Sequence, residues 1–212
     1  MGELVFFHTA ESNVELFERA ARDAKLPGGR RHVVRPELLQ SARIAGSLTD
    51  TVRSNAESQM AEALGDAVRL ICTCSTIGPA ADALASMGQP VIRVDRALAE
   101  QAVTKGPRIA VLVTLKTTIE PTRDLFMNVA EKLDRHIMLD MIFVEGASDL
   151  FADGNLADYN RAIASAVDAT PVGYDAIALG QASMAPAAAK TSKPAMTSPD
   201  ASMRALAVEM GG

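Results

Sequence analysis

The chain has 212 residues, of which 48% are hydrophobic and 22% charged, with a formal net charge of −5. That length supports one large domain or two of about 100 residues. The acidic balance gives nucleic acid no electrostatic footprint over the whole chain, and no apolar run approaches the roughly 18 residues of a membrane span.

In chain order, residues 4–7 form a short apolar strand. Glu3 precedes it and no Lys or Arg does, so the start reads as the edge of a domain and not as a signal peptide. Phe6 occupies the position where myristoylation wants Ser or Thr. Residues 13–25 carry Val14, Leu16, Phe17, Ala20 and Ala21 at helical spacing, with Ser12 or Asn13 as cap and Pro27-Gly28-Gly29 as stop. A second short strand follows at 32–34. Helices are predicted at 36–45 and 49–65, the latter with Val52, Ala56, Met60, Ala63 and Leu64 on one stripe.

A buried-type strand at 67–72 leads to a helix at 78–87, with Pro79 in its first turn. A strand at 90–94 and a helix at 96–103 precede the break Lys105-Gly106-Pro107. Next come a strand at 108–113, a helix at 120–133, a strand at 138–144, a helix at 156–169 and a strand at 175–179. A helix begins at 182–189. The Ala-, Ser-, Thr- and Pro-rich segment 187–199 connects to a last helix at 201–210, and Gly211-Gly212 should fray. Strands alternating with helices imply an α/β fold with mostly parallel sheets. In such sheets the active crevice lies beyond the carboxyl ends of the strands.

The chain carries similar phrases twice. LVFFHT and IAVLVT are strands ending in Thr9 and Thr114; LICTCST and IALGQAS are strands ending in small polar triplets. Cys74 follows Thr9 by 65 residues, and Gln181 follows Thr114 by 67. The spacing predicts two pseudosymmetric, doubly wound halves, residues 1–95 plus 186–212 and residues 96–185, with the active cleft between them. Four loops would converge there: 9–13, 74–76, 114–118 and 181–183. Each precedes a helix, so backbone N–H groups and a positive dipole end suit a small carboxylate.

Cys72 and Cys74 are the chain's two cysteines. At i and i+2 they cannot form a relaxed disulfide, and a reducing cytoplasm is expected. A zinc pair lacks two further ligands, and His8, His32 and His136 lie in separate segments, so no metal is expected. Cys72 falls within a strand and reads as core. Cys74 reads either as a buried small hydrophobe or as a thiol whose pKa a helix N-terminus lowers. His8, at a strand end, faces the cleft or is structural; His32 and His136 read as surface residues. Thr9, Asn13, Thr76 and Thr118 suit carboxylate contacts, helix caps, or both. Ser183 has no evident histidine partner for a triad. With 4% aromatic residues, a small polar ligand is favoured over a large flat one.

Cys74-Ser75-Thr76, Thr114 with Thr117-Thr118, and Gly180-Gln181-Ala182-Ser183 together resemble the signatures of the aspartate/glutamate/hydantoin racemase superfamily. The resemblance spans roughly residues 4–199 and rests on the order and spacing of all three motifs. It implies two α/β domains, a homodimer, no cofactor, and two cysteines that move a proton beside a carboxylate or carbonyl. Cys74 matches the first family cysteine. Gln181 stands where the second is expected, and glutamine is neither acid nor base near pH 7.

The expected enzyme is therefore a racemase- or epimerase-type isomerase with Cys74 as acid/base, acting on a small carboxylate or amide. Its substrate contacts would come from Thr9, Asn13, Ser75, Thr76, Thr114, Thr117, Thr118, Gln181, Ala182 and Ser183. A single-cysteine decarboxylase or isomerase, and a non-catalytic small-acid-binding protein, are the alternatives.

Overall fold

The computed structural model describes residues 2–211. Strands β1 (Leu4–His8), β2 (Arg30–Val34), β3 (Arg69–Cys72) and β4 (Val91–Arg93) form one sheet in the order β2-β1-β3-β4. Strands β5 (Arg108–Val113), β6 (Met138–Phe143), β7 (Ala176–Leu179) and β8 (Met196–Thr197) form a second in the order β6-β5-β7-β8. Every pairing is parallel. The second sheet thus repeats the strand order of the first, as the doubled phrases predicted.

The helices are α1 (Ser12–Asp23), α2 (Pro36–Ala45), α3 (Asp50–Leu64), α4 (Gly78–Ser86), α5 (Arg96–Lys105), α6 (Lys116–Lys132), α7 (Ala147–Ala152), α8 (Leu156–Ala169) and α9 (Ser198–Gly211). Among the described residues no helix is long and apolar enough to cross a membrane.

The two central strands explain the continuous apolar runs, because parallel sheets are covered on both faces. On β1, Val5 and Phe7 pack with Ala56 and Met60 of α3 and Ala80 and Ala81 of α4. Leu4 and Phe6 point the other way, to Phe17 and Ala21 of α1 and to Met203 and Leu206 of α9. On β5, Ile109, Val111 and Val113 meet Leu98 of α5 and Leu125 and Phe126 of α6. Ala110 and Leu112 meet Tyr159, Ile163 and Val167 of α8. Each fully buried Leu, Ile or Phe here stabilises the fold by about 1.5–3 kcal/mol.

Several elements differ from the sequence reading. Helix α6 starts at Lys116 and not at 120, so Thr117 and Thr118 are helical and Pro121 lies in the second turn. The segment Ala182–Lys190 is a 3-10 helix. Helix α7 and strand β8, of six and two residues, are too short to show a period. Within the segment 186–212, Met196 lies beside Ala178 in the second sheet, and Met203 and Leu206 pack with Leu4 and Phe6 of the first half. Helix α9 then packs against both α5 and α1. Gly211 closes α9, and Gly212 lies outside the described residues.

Polar contacts tie the halves together. Buried Arg93 donates from Nε and Nη2 to the two carboxylate oxygens of Asp95 at 2.7 and 3.0 Å, and from Nη1 to Asp82 at 2.8 Å. Its Nη2 also reaches the Pro121 carbonyl of α6 at 3.3 Å. Burial alone would raise the Asp95 carboxyl, but the charge and hydrogen bonds of Arg93 hold it below the ordinary carboxylate range. Gly78 lets this guanidinium pass, since a Cβ there would lie 2.5 Å from Arg93 Cζ.

Candidate functional site

A cavity of about 740 Å³ lies between the halves. It collects the turns that follow β1, β3, β5 and β7, the carboxyl-end edge of both sheets. Beyond the last apolar residues of these strands, Phe7, Cys72, Val113 and Leu179, the chain turns polar or small. The residues there lead toward a helix and leave hydroxyls and N–H groups at the seam.

Of the residues singled out from sequence, Thr9, Asn13, Cys74, Ser75, Thr76, Thr114, Thr118, Gln181, Ala182 and Ser183 all line the cavity. Thr117 does not. It is buried in the first turn of α6, and its hydroxyl has no partner among the described residues. His8 does not line the cavity either. Fully buried, it lies between Thr73 Oγ1 (Nδ1, 2.8 Å) and His32 Nδ1 (Nε2, 2.8 Å). Burial, and then the neighbouring His32, push the His8 pKa down to about 3. His32 is not a surface residue, because its Nε2 lies 2.9 Å from Glu18 Oε1 and its ring stacks on Phe6. His136 is exposed, as expected.

Cys74 is 9% exposed. Burial raises its pKa, opposed by hydrogen bonds from the Thr9 hydroxyl and from the backbone N–H groups of Ile77 and Thr76. The expected lowering by a helix N-terminus is therefore reversed. The N–H groups do point at the sulfur, but desolvation of a thiolate outweighs them. Cys72 is core, with Sγ donating to the Cys74 carbonyl at 3.6 Å and a pKa pushed up by burial.

Gln181 projects from the end of β7 into the turn after β5. Its Oε1 accepts from Thr114 N at 2.6 Å, Thr114 Oγ1 at 3.1 Å and Leu115 N at 3.2 Å. With three donors on the oxygen, the amide nitrogen is the end left to donate. The glycine before it is required by a close approach: a Cβ on Gly180 would lie 2.9 Å from Val113 Cγ1 and 3.1 Å from the Leu112 carbonyl.

Across the seam, Thr76 and Thr118 share a 2.9 Å hydroxyl hydrogen bond. None of Ser12, Asn13, Thr76 and Thr118 caps a helix. The cap positions of α1, α4 and α6 are Glu11, Ile77 and Leu115, without side-chain cap bonds.

Sequence reasoning missed three parts of the wall. Helix α2 contributes Pro36, Gln40 and Arg43; α7 contributes Ser148 and Phe151; α8 contributes Tyr159. Arg43 is the charged side chain among the described lining residues. The available signal was position. Helices α2 and α7 follow β2 and β6 at the same sheet edge as the predicted loops. Tyr159 is 1% exposed and shares a 2.9 Å hydrogen bond with Ser183 Oγ. Burial raises its pKa, opposed by bonds with Ser183 and Thr114.

Two parallel-sheet halves of matching strand order, with a hydroxyl- and amide-lined cavity at their seam and a cysteine after the third strand, define a two-domain α/β protein with a polar cleft between its halves. The Asp/Glu/hydantoin racemase family model matches residues 7–207, and the chain belongs to that family.

Among solved structures, a glutamate racemase isoform from Bacillus anthracis superposes with a TM-score of 0.74 at 14% identity, covering 99% of this chain and 82% of that one. An aspartate racemase from Picrophilus torridus gives 0.70 at 12% identity, covering 100% and 95%. An allantoin racemase from Klebsiella pneumoniae gives 0.62 at 16% identity, covering 100% and 89%. No curated protein matches in sequence.

Proposed function

We propose that this chain is a cofactor-independent, racemase-like enzyme that moves a proton at the carbon beside a carboxylate or carbonyl of a small acid or amide, with Cys74 as acid/base. The observation that carries this reading is the setting of Cys74. Its thiol lines the interdomain cavity, touched by the Thr9 hydroxyl and by the N–H groups of Thr76 and Ile77.

In the thiolate form Cys74 takes the α-proton. The C–H bond breaks, the S–H bond forms, and the electron pair moves onto the carbonyl as an enediolate. Preorganised donors stabilise such a charge. The donor at hand is the amide nitrogen of Gln181, whose oxygen is held by the turn after β5. The reading carries with it a reducing, cytoplasmic setting, which keeps Cys74 a thiol, and a homodimer, the assembly the family resemblance implies.

A second reading is favoured by one feature. Burial holds the proton on Cys74, and Gln181 has no ionisable one to give. Decarboxylation or isomerisation with one proton donor fits that state.

The test is solvent deuterium exchange at the α-carbon of aspartate, glutamate, hydantoins, malonates and hydroxy acids, followed by proton NMR. Exchange by the wild type that disappears in Cys74→Ala supports the first reading. Carbon dioxide release from a malonate without α-exchange selects the second. Exchange unchanged in Cys74→Ala overturns both.

A further inference from the structure

We propose that Ser183, supplied with its proton by Tyr159, is the acid on the face of the substrate opposite Cys74, so that inversion at the reacting carbon needs no second cysteine. This rests on the reading that Cys74 removes a proton from a small acid or amide held in this cavity.

Cys74 follows β3 in the first half. Tyr159 lies on α8, and Ser183 follows β7 in the second half. All three line the one cavity between the halves. A substrate held there has the sulfur on one side and the second-half groups on the other.

Most second-half groups are already engaged. Gln181 has no ionisable proton, and its oxygen is held by the Thr114–Leu115 turn. The Thr114 hydroxyl donates to that same oxygen. The Thr118 hydroxyl is paired with Thr76. Ser183 is different. Its hydroxyl lies 2.9 Å from the Tyr159 phenol, which sits behind it away from solvent.

Among hydroxyl groups a phenol is by far the more acidic, ordinarily near 10, so the pair offers a proton that a lone serine does not. The ring is fixed in place by Phe151, with centroids 5.0 Å apart and planes inclined at 56°. Burial keeps the phenol protonated at rest.

The Cys74 thiolate becomes a thiol as it takes the α-proton. The Ser183 O–H bond breaks as the new C–H bond forms on the opposite face. The Tyr159 proton moves to Ser183 Oγ, which leaves a tyrosinate. The tyrosinate, the stronger base, then recovers a proton from the Cys74 thiol by way of solvent, which restores both groups.

The experiment uses single enantiomers of aspartate, glutamate and allantoin in deuterium oxide, with configuration and deuterium content read together by chiral chromatography and mass spectrometry. The wild type should give deuterated, inverted product. Tyr159→Phe, which keeps the packed ring, and Ser183→Ala should both lose inversion by roughly 100-fold or more, the scale on which a general acid contributes. Cys74-dependent labelling of the starting enantiomer should persist in both. A purely structural role for Tyr159 would depress labelling and inversion together.

Inversion at the wild-type rate in Tyr159→Phe overturns the assignment. So does labelling by the wild type with configuration retained, and in that case the Cys74 reading stands. No labelling of any compound by the wild type overturns both.

Discussion

The hydroxyl of Ser75 in the first half donates a 2.9 Å hydrogen bond to the carbonyl of Gly180 in the second. Both residues are immediate neighbours of the site's principal groups, Cys74 and Gln181, so the bond fixes the width of the cleft at the point where chemistry is proposed. Ser75 is 4% exposed, so removing its hydroxyl leaves a buried carbonyl short of a donor. Ser75→Ala should cost about 1–3 kcal/mol, a fall in Tm of roughly 2–4 °C per kcal/mol at this chain length. Urea titration and thermal melting check the value. An unchanged melt would show that the halves are held together without it.

The thiol of Cys74 should react as a reluctant nucleophile. Burial is the largest influence on it, so its pKa lies above the ordinary 9.0 despite three opposing hydrogen bonds. Alkylation by iodoacetamide, read site by site by mass spectrometry, should be slow at pH 7 and still be climbing at pH 9.0. Cys72, shut in the core, should stay unmodified throughout. Thr9→Val removes one of the bonds that favours the thiolate and should move the alkylation profile to still higher pH. A profile centred below the ordinary value would mean that the N–H groups of Thr76 and Ile77 outweigh desolvation.

His8 ties stability to pH. Its folded pKa is about 3 against an ordinary 6.5, because the ring is buried and faces His32. The unfolded chain takes up a proton as the pH falls through about 6.5, while the folded chain refuses it until about 3. The stability this residue contributes is therefore complete above 6.5 and is lost as the pH drops toward 3. At full effect the slope is about 1.4 kcal/mol per pH unit. Urea melts at pH 7, 6, 5 and 4 should show this decline, and His8→Gln should flatten it. An equal slope in the variant would place the acid sensitivity elsewhere.

What was legible in the sequence follows from the physics of each part. Leu4–His8 and Arg108–Val113 announced themselves because a central parallel strand must be apolar on both faces. Helix α2 and strand β5 were bounded correctly because Pro36 and Pro107 mark sharp local edges. The cavity-lining turns were visible because each strand ends in small polar residues. Two kinds of feature were hidden. Helix α7 and strand β8 are shorter than any period that could reveal them. The roles of His8, His32 and Tyr159 depend on neighbours 14 or more residues away, which no local pattern encodes. The Cys74 pKa failed for a related reason: the helix-end motif was read rightly, but burial is a property of the assembled halves.

Gln181 supports the fold at the site as well as lining it. Its amide oxygen satisfies two backbone N–H groups and one hydroxyl where β5 passes into α6. Gln181→Leu, close in volume but without an acceptor, should leave these three donors unmet and cost about 1–3 kcal/mol. Gln181→Glu keeps the acceptor and places a carboxylate against the N–H groups of a helix start, an arrangement that favours negative charge. It should hold or raise the melting temperature near pH 7. That gain should fade as the introduced carboxyl is protonated in acid, because a carboxylate stabilised in the folded chain loses its contribution as the pH falls through its lowered pKa. Melting curves for the two variants at pH 7 and pH 4 test both signs at once. If Gln181→Leu is as stable as the wild type, the turn before α6 finds its hydrogen bonds from solvent, and Gln181 serves the ligand alone.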